Sequence, residues 1–94
     1  MSIRCFYLPQ GLIIGDMTDV IDGKMVIRNP ALVIARSNEV ALAPLLYLVE
    51  EKEIRIELKD IAFGVTFTPK RDLENNYNKI FGSGLVLTTA MPGA

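Results

Sequence analysis

The chemistry open to these 94 residues is limited first by a missing side chain: there is no histidine. Without imidazole the chain cannot build a Ser-His or Cys-His nucleophile pair, nor a histidine-ligated zinc site. Its one cysteine, Cys5, cannot close an intrachain disulfide. In a largely apolar stretch, Ile3 to Leu8, that reads as a strand, it is a small buried hydrophobe rather than a reactive thiol. Asp16, Asp19 and Asp22 recur at every third position, which invites comparison with a magnesium or calcium site, because hard cations take several carboxylate oxygens. Residues three apart in a strand point to opposite faces, however, and aspartate is common where strands turn, so turn chemistry is the better reading. The same geometry defeats a two-carboxylate hydrolase. Gly82-Ser83-Gly84 follows a helical pattern instead of opening one, and reads as a cap and turn, not a phosphate cradle. The expectation is a non-enzymatic protein with no catalytic residues, no metal and no cofactor.

Cations and aromatic rings are the remaining candidates. Lys24, Arg28 and Arg36 flank an Asp-Gly turn and the strand after it, and Lys70, Arg71 and Lys79 fall in a helical segment. Each taken alone reads as solvated surface. Ten Lys and Arg against eleven Asp and Glu leave a net charge of -1, which argues against strong sequence-independent binding to duplex DNA. A local basic patch repeated around an assembly of subunits is a different matter, since multivalency adds small contributions. Among the aromatics, Phe6, Phe63 and Phe67 are expected in the core. Tyr77 and Phe81, at a helix end beside a glycine loop, are the better candidates for stacking on a base, with helix-to-sheet packing the plainer role for both.

The elements that must position these groups are mostly strands. Ile3 to Leu8 mixes β-branched and aromatic residues and stops at Pro9-Gln10-Gly11. Leu12 to Val20 is a second strand, with Gly15 marking a bend or close backbone approach. Asp22-Gly23 is the best hairpin signal, and Lys24 to Ile27 returns antiparallel. Asn29-Pro30 should bulge or end that strand. Ala31 to Ala35 is apolar on both alternating sides, as in a strand covered on both faces. Val40 to Val49 is either a strand broken at Pro44 or a short helix beginning there. Ile54, Ile56 and Leu58 alternate with Arg55, Glu57 and Lys59 as a half-buried strand, and Phe63, Val65 and Phe67 make another, or its continuation beyond a kink near Asp60. Thr68-Pro69 opens a helix in which Leu73, Tyr77 and Ile80 share a face and Gly82 terminates. Leu85 to Thr89 is a last strand. The whole, residues 1–94, is one domain, mainly β: a small, strongly bent antiparallel barrel with one short helix near the C-terminus.

Half of the residues are hydrophobic and only 22% are charged. A domain of this length buries only about 60–65% of its unfolded surface, so the surplus apolar area is expected between subunits of a homo-oligomer. The longest apolar stretch, Val40 to Val49, is about half of what a membrane helix needs, and Pro44 interrupts it. With no signal-peptide pattern at the start, the expected setting is cytoplasmic, in a cell or an infected host, and without membrane contact.

The run Leu8-Pro9-Gln10-Gly11-Leu12-Ile13-Ile14-Gly15-Asp16-Met17, followed by Asp22-Gly23-Lys24-Met25-Val26-Ile27, resembles the first motif of the Sm/Lsm family, including its Hfq-type members. That motif orders a turn glycine, a strand Gly-x-apolar and a loop Asp-x-x-Met. The match covers about a third of the chain, and the step from Gly15 to Asp22 is one residue longer than usual. Ile80-Phe81-Gly82 before Leu85-Val86-Leu87 echoes the second motif, with Phe81 in place of its arginine; Val26 stands where the family has its base-reading asparagine, with Asn29 slightly further on. The resemblance implies an SH3-like five-stranded barrel whose edges pair between neighbours into a closed ring. The compact, turn-dense pattern is also similar to small Sm-like proteins carried by tailed phages. A ring binding single-stranded RNA or DNA is the first functional expectation, with Lys24, Arg28 and Asn29 on phosphate or base edges and Phe81, beside Gly82, stacking. A structural or protein-interaction ring is the alternative.

Overall fold

The computed structural model describes residues 2–82, with the expected strand at 85–89 outside them. The chain is mainly β: five antiparallel strands form one sheet, followed by one short helix. Strands β1 (Ser2–Leu8) and β2 (Gly11–Ile21) pair about the Pro9-Gln10 turn, with Leu8 opposite Gly11. Strand β3 (Lys24–Arg36) follows through Asp22 and Gly23, whose φ of 53° and 76° are the left-handed pair that a two-residue hairpin of matching twist requires. Strand β4 (Glu39–Pro44) ends at Pro44 and is followed by turns, which decides between the two readings of Val40 to Val49. Strand β5 is Glu53–Glu57.

Asn29-Pro30 bulges β3 without ending it. Ile14 pairs with Ala31 and Asp16 with Arg28, so Gly15 alone faces both Asn29 and Pro30. Asn29 takes a φ of 52°, which asparagine tolerates better than most residues. On one side of the bulge β3 pairs with β5, and on the other with β4. Two backbone bonds close the gaps: the Asn29 N–H donates to the Lys52 carbonyl at 2.9 Å, and the Leu45 N–H to the Pro30 carbonyl at 2.9 Å. The extra residue also reverses the alternation of faces. Met25 and Ile27 join Phe6, Ile13 and Ile61 in a core enclosed by the curled sheet. Beyond the bulge, Ala31 and Val33 turn to the other face, with Cys5, Ile14 and Leu12. Here the helix α1 (Arg71–Tyr77) and the π turn that continues it (Asn78–Gly82) lay Leu73, Tyr77 and Phe81 over the sheet. β3 therefore has apolar neighbours on both faces, as its composition implies.

Two expected elements are corrected. Phe63, Val65 and Phe67 form no strand: the chain makes 3-10 turns at Leu58–Asp60 and Ala62–Gly64, with Phe63 and Gly64 both at a φ of 66°. The kink expected near Asp60 is present, but after it only Phe67 pairs, bridging Cys5 across the free edge of β1 through bonds of 2.8 and 2.7 Å. Nor does Thr68 cap the helix. The first cap position is Lys70, and Thr68 Oγ1 instead accepts a bond from Arg4 Nη1 at 2.8 Å, while Arg4 Nε donates to Thr66 Oγ1 at 2.9 Å. Among the described residues no helix is long and apolar enough to cross a membrane.

Gly15 is buried, and a Cβ there would collide with the Ile27 side chain, while meeting the backbone of Arg28 and Pro30 only in ordinary contact. Gly15→Ala should therefore destabilise the fold by about 1–3 kcal/mol, read as a lowered urea midpoint. An unchanged midpoint would mean that the strands at the bulge are not this close.

Candidate nucleic-acid interface

The bulge that reorganises β3 also builds a cleft. Arg28 and Asn29 meet Lys52 from just before β5, Tyr47 from the loop after β4, and Ile80 and Phe81 from the π turn, around a cavity of about 500 Å³. Three of the side chains singled out in the sequence, Arg28, Asn29 and Phe81, are thus brought together from positions up to 53 residues apart. Arg28, Lys52 and Tyr47 are exposed, and Asn29 and Phe81 half-buried. Gly82 follows Phe81 as the last residue of the π turn. Lys24 is elsewhere: it pairs with Ile21 and Glu57 at the hairpin end of β3, about 13 Å along the strand from Arg28.

Tyr77 fixes this arrangement from behind. It is 2% exposed, and its hydroxyl lies 3.1 Å from the Arg28 carbonyl and 3.0 Å from the Asn29 carbonyl, donating to the bulge at the point where the backbone is left-handed. Its ring packs against Phe81 at 4.8 Å between centroids. Of the two aromatic candidates for stacking, Tyr77 is therefore a packing residue, whereas Phe81 rests on it and lines the cleft. Burial, helped by the negative charge of Asp16, holds the Tyr77 phenol well above its ordinary range.

Of the acidic triplet only Asp22 lies in a turn, whereas Asp16 and Asp19 lie within β2, opposite Arg28 and Val26, which corrects the turn reading for those two. Asp16 is half-buried, with Oδ1 left without a hydrogen-bond partner among the described residues. Asp19 accepts from the Val20 N–H at 2.8 Å, and Asp22 sits in the hairpin turn. Cys5 is buried, and burial pushes its thiol up to about 11.

Two aromatics placed in the core by their alternation are exposed. Phe63 is 77% exposed and Phe67 40%, and with Tyr7 they form an edge-to-face triad with centroids 6.0–6.1 Å apart. Phe6, by contrast, is fully buried as expected. The sequence reading missed two contributors to the cleft: Lys52, hidden as the one cation in Glu50-Glu51-Lys52-Glu53, and Tyr47, inside an apolar run. A cation or tyrosine at the boundary between two elements was the available signal.

Cys5 and Tyr77 both keep their protons in the folded chain at a pH where the unfolded chain gives them up. Their contribution to stability is therefore full below pH 9 and is lost as pH rises, first through the window of 9 to about 11 set by Cys5, with Tyr77 adding to the loss above 10. Cys5 alone accounts for at most about 3 kcal/mol. Urea midpoints measured from pH 8 upward should decline, with Cys5→Ala flattening the first part of the decline and Tyr77→Phe the later part. A midpoint independent of pH across this range contradicts the burial of both groups. Compared with models of protein families and with curated proteins, the chain matches none.

Proposed function

We propose that this chain is a non-enzymatic subunit that binds single-stranded nucleic acid, RNA foremost, in the Arg28–Lys52 cleft, and that it works as a homo-oligomeric ring. The observation that carries this reading is the meeting of two cations, an amide and two aromatic rings around one cavity of a size suited to a small ligand. Arg28 and Lys52 supply charge for phosphates, Asn29 supplies donors and an acceptor for a base edge, and Tyr47 and Phe81 offer faces on which an unpaired base stacks. The mixture favours a single strand over a duplex, whose bases are already stacked and whose binding rests chiefly on phosphate neutralisation that a chain of net charge -1 supplies poorly. A ring repeats the cleft around its axis, so that one strand engages several copies at once. A cytoplasmic setting, where thiols stay reduced, fits a free and buried Cys5.

The exposed Tyr7–Phe63–Phe67 triad favours a second reading, a protein-interaction ring, because an apolar aromatic patch with no cation in it suits a protein surface better than a phosphate chain. Titration of short labelled oligonucleotides by fluorescence anisotropy separates the two. Binding is expected at micromolar protein and should weaken with salt at a log–log slope of about -1.4, for two phosphate contacts per cleft. Phe81→Ala should weaken it about 5- to 100-fold. Lys52→Ala should reduce the slope by about 0.7, and Lys24→Ala should leave affinity nearly unchanged. No binding at micromolar protein removes the nucleic-acid reading and leaves the interaction ring.

A further inference from the structure

The apolar surface of this chain is divided between a recess and a projection. The recess is a groove of about 740 Å³ on the helix-bearing face of the sheet, floored by Leu12, Val33 and Val40, lipped by Tyr7 and Phe67, and walled by the start of α1 through Leu73. The projection is the loop after β4, where Leu45, Tyr47, Leu48 and Val49 are all exposed and Leu48 reaches 88%. Leaving five-residue apolar loops and apolar grooves both in water is unfavourable, and each offers what the other lacks.

The loop does not fill the groove of its own chain. Leu46 and Tyr47 lie beside Ile80 and Phe81, at the far end of the helical segment, whereas the groove is walled by residues from Pro69 to Asn76. The last groove-lining residue of the segment, Asn76, and the first cleft-lining one, Ile80, are about 6 Å apart along it. Charge points the same way. The loop runs directly into Glu50 and Glu51, while Lys70 lines the groove and exposed Arg71 follows it, with Asp72 the one acidic residue among the lining. The lip of the groove is also built with local strain: Phe63, at a φ of 66°, completes the aromatic triad with Tyr7 and Phe67 while remaining 77% exposed.

We infer that the Leu45–Val49 loop of one copy seats in the groove of a second copy, with Glu50 and Glu51 against Lys70 and Arg71, in a head-to-tail interface. This rests on the self-assembly half of the proposed function and gives it specific surfaces. As a head-to-tail contact it leaves one loop and one groove free after each addition, and so continues to a ring or a filament. Leu48, with the aromatic lip around it, is the anchor of the contact.

Sedimentation velocity on the full chain tests this without any oligonucleotide. The parent chain should sediment as a species larger than a dimer. Leu48→Glu and Val40→Glu, both at exposed positions, should each give a folded monomer, with circular dichroism confirming the fold. An equimolar mixture of the two should form a dimer and nothing larger, because one intact loop then meets one intact groove. Lys70→Glu with Arg71→Glu should dissociate the assembly, and adding Glu50→Lys with Glu51→Lys should restore it. A parent chain that stays monomeric, whether its groove is filled by its own residues 83–94 or by some other protein, overturns the inference. So does a mixture that does not dimerise, or a Leu48→Glu chain of parental mass. An assembly that binds no oligonucleotide removes the nucleic-acid reading alone, and a monomer that binds one removes the interface alone.

Discussion

One strand must serve two partners and two faces, and the bulge at Asn29-Pro30 is what allows it. Proline cannot donate to a ladder, so a central strand carrying one needs a place where no donor is missed. The bulge provides that place and adds one residue, after which the outward side of β3 becomes the inward side. The left-handed Asn29 is held by its N–H to Lys52 and by the Tyr77 hydroxyl at its carbonyl. Gly15 opposite it is required to be small, because any larger residue would meet Ile27. Strand curvature, the two cores and the docking of the helix all follow from this local arrangement.

The helical segment divides the outer face into two regions of different chemistry. Near its end, Phe81 leans on Tyr77 and closes a cleft whose mouth carries Arg28 and Lys52. Near its start, the same face is bare of charge apart from Lys70 and Asp72 at the rim and presents valine, leucine and aromatic rings. The loop from Leu45 to Val49 belongs to both regions in function: Tyr47 borders the polar cleft, and Leu48 projects away from the chain. Ligand binding and self-assembly, as proposed, thereby share one loop, so that assembly orders a wall of the binding cleft.

What was legible in the sequence was whatever the backbone demands locally. Asp22-Gly23 had to turn, Gly15 had to sit at a close approach, and Asn29-Pro30 had to disturb its strand, because each depends on φ, on the missing Cβ or on the missing N–H. The alternation of Ile54 and Ile56 likewise reported its core face. Residues 63–68 were misread since Phe63-x-Val65-x-Phe67 alternates like a strand, while the left-handed Phe63 and Gly64 turn the rings outward. Thr68 has the chemistry of a cap, but a residue 64 positions away, Arg4, claims its oxygen. The same limit applied to the site. Arg28, Asn29 and Phe81 stood out by type and local context, whereas Lys52 and Tyr47 gain their place only through long-range pairing across the bulge. Local pattern does not encode which distant strand supplies a partner.

The most direct measurement of the central claim is a heteronuclear NMR titration of the isotope-labelled chain with a short single-stranded RNA, following backbone amides. Shifts should concentrate at Arg28, Asn29, Tyr47, Lys52, Ile80 and Phe81, with the Asn29 amide, tied to Lys52, among the most affected. Shifts confined to the Asp22-Gly23 hairpin and Lys24, or spread evenly over the lysines and arginines of the surface, would contradict a cleft organised by the bulge.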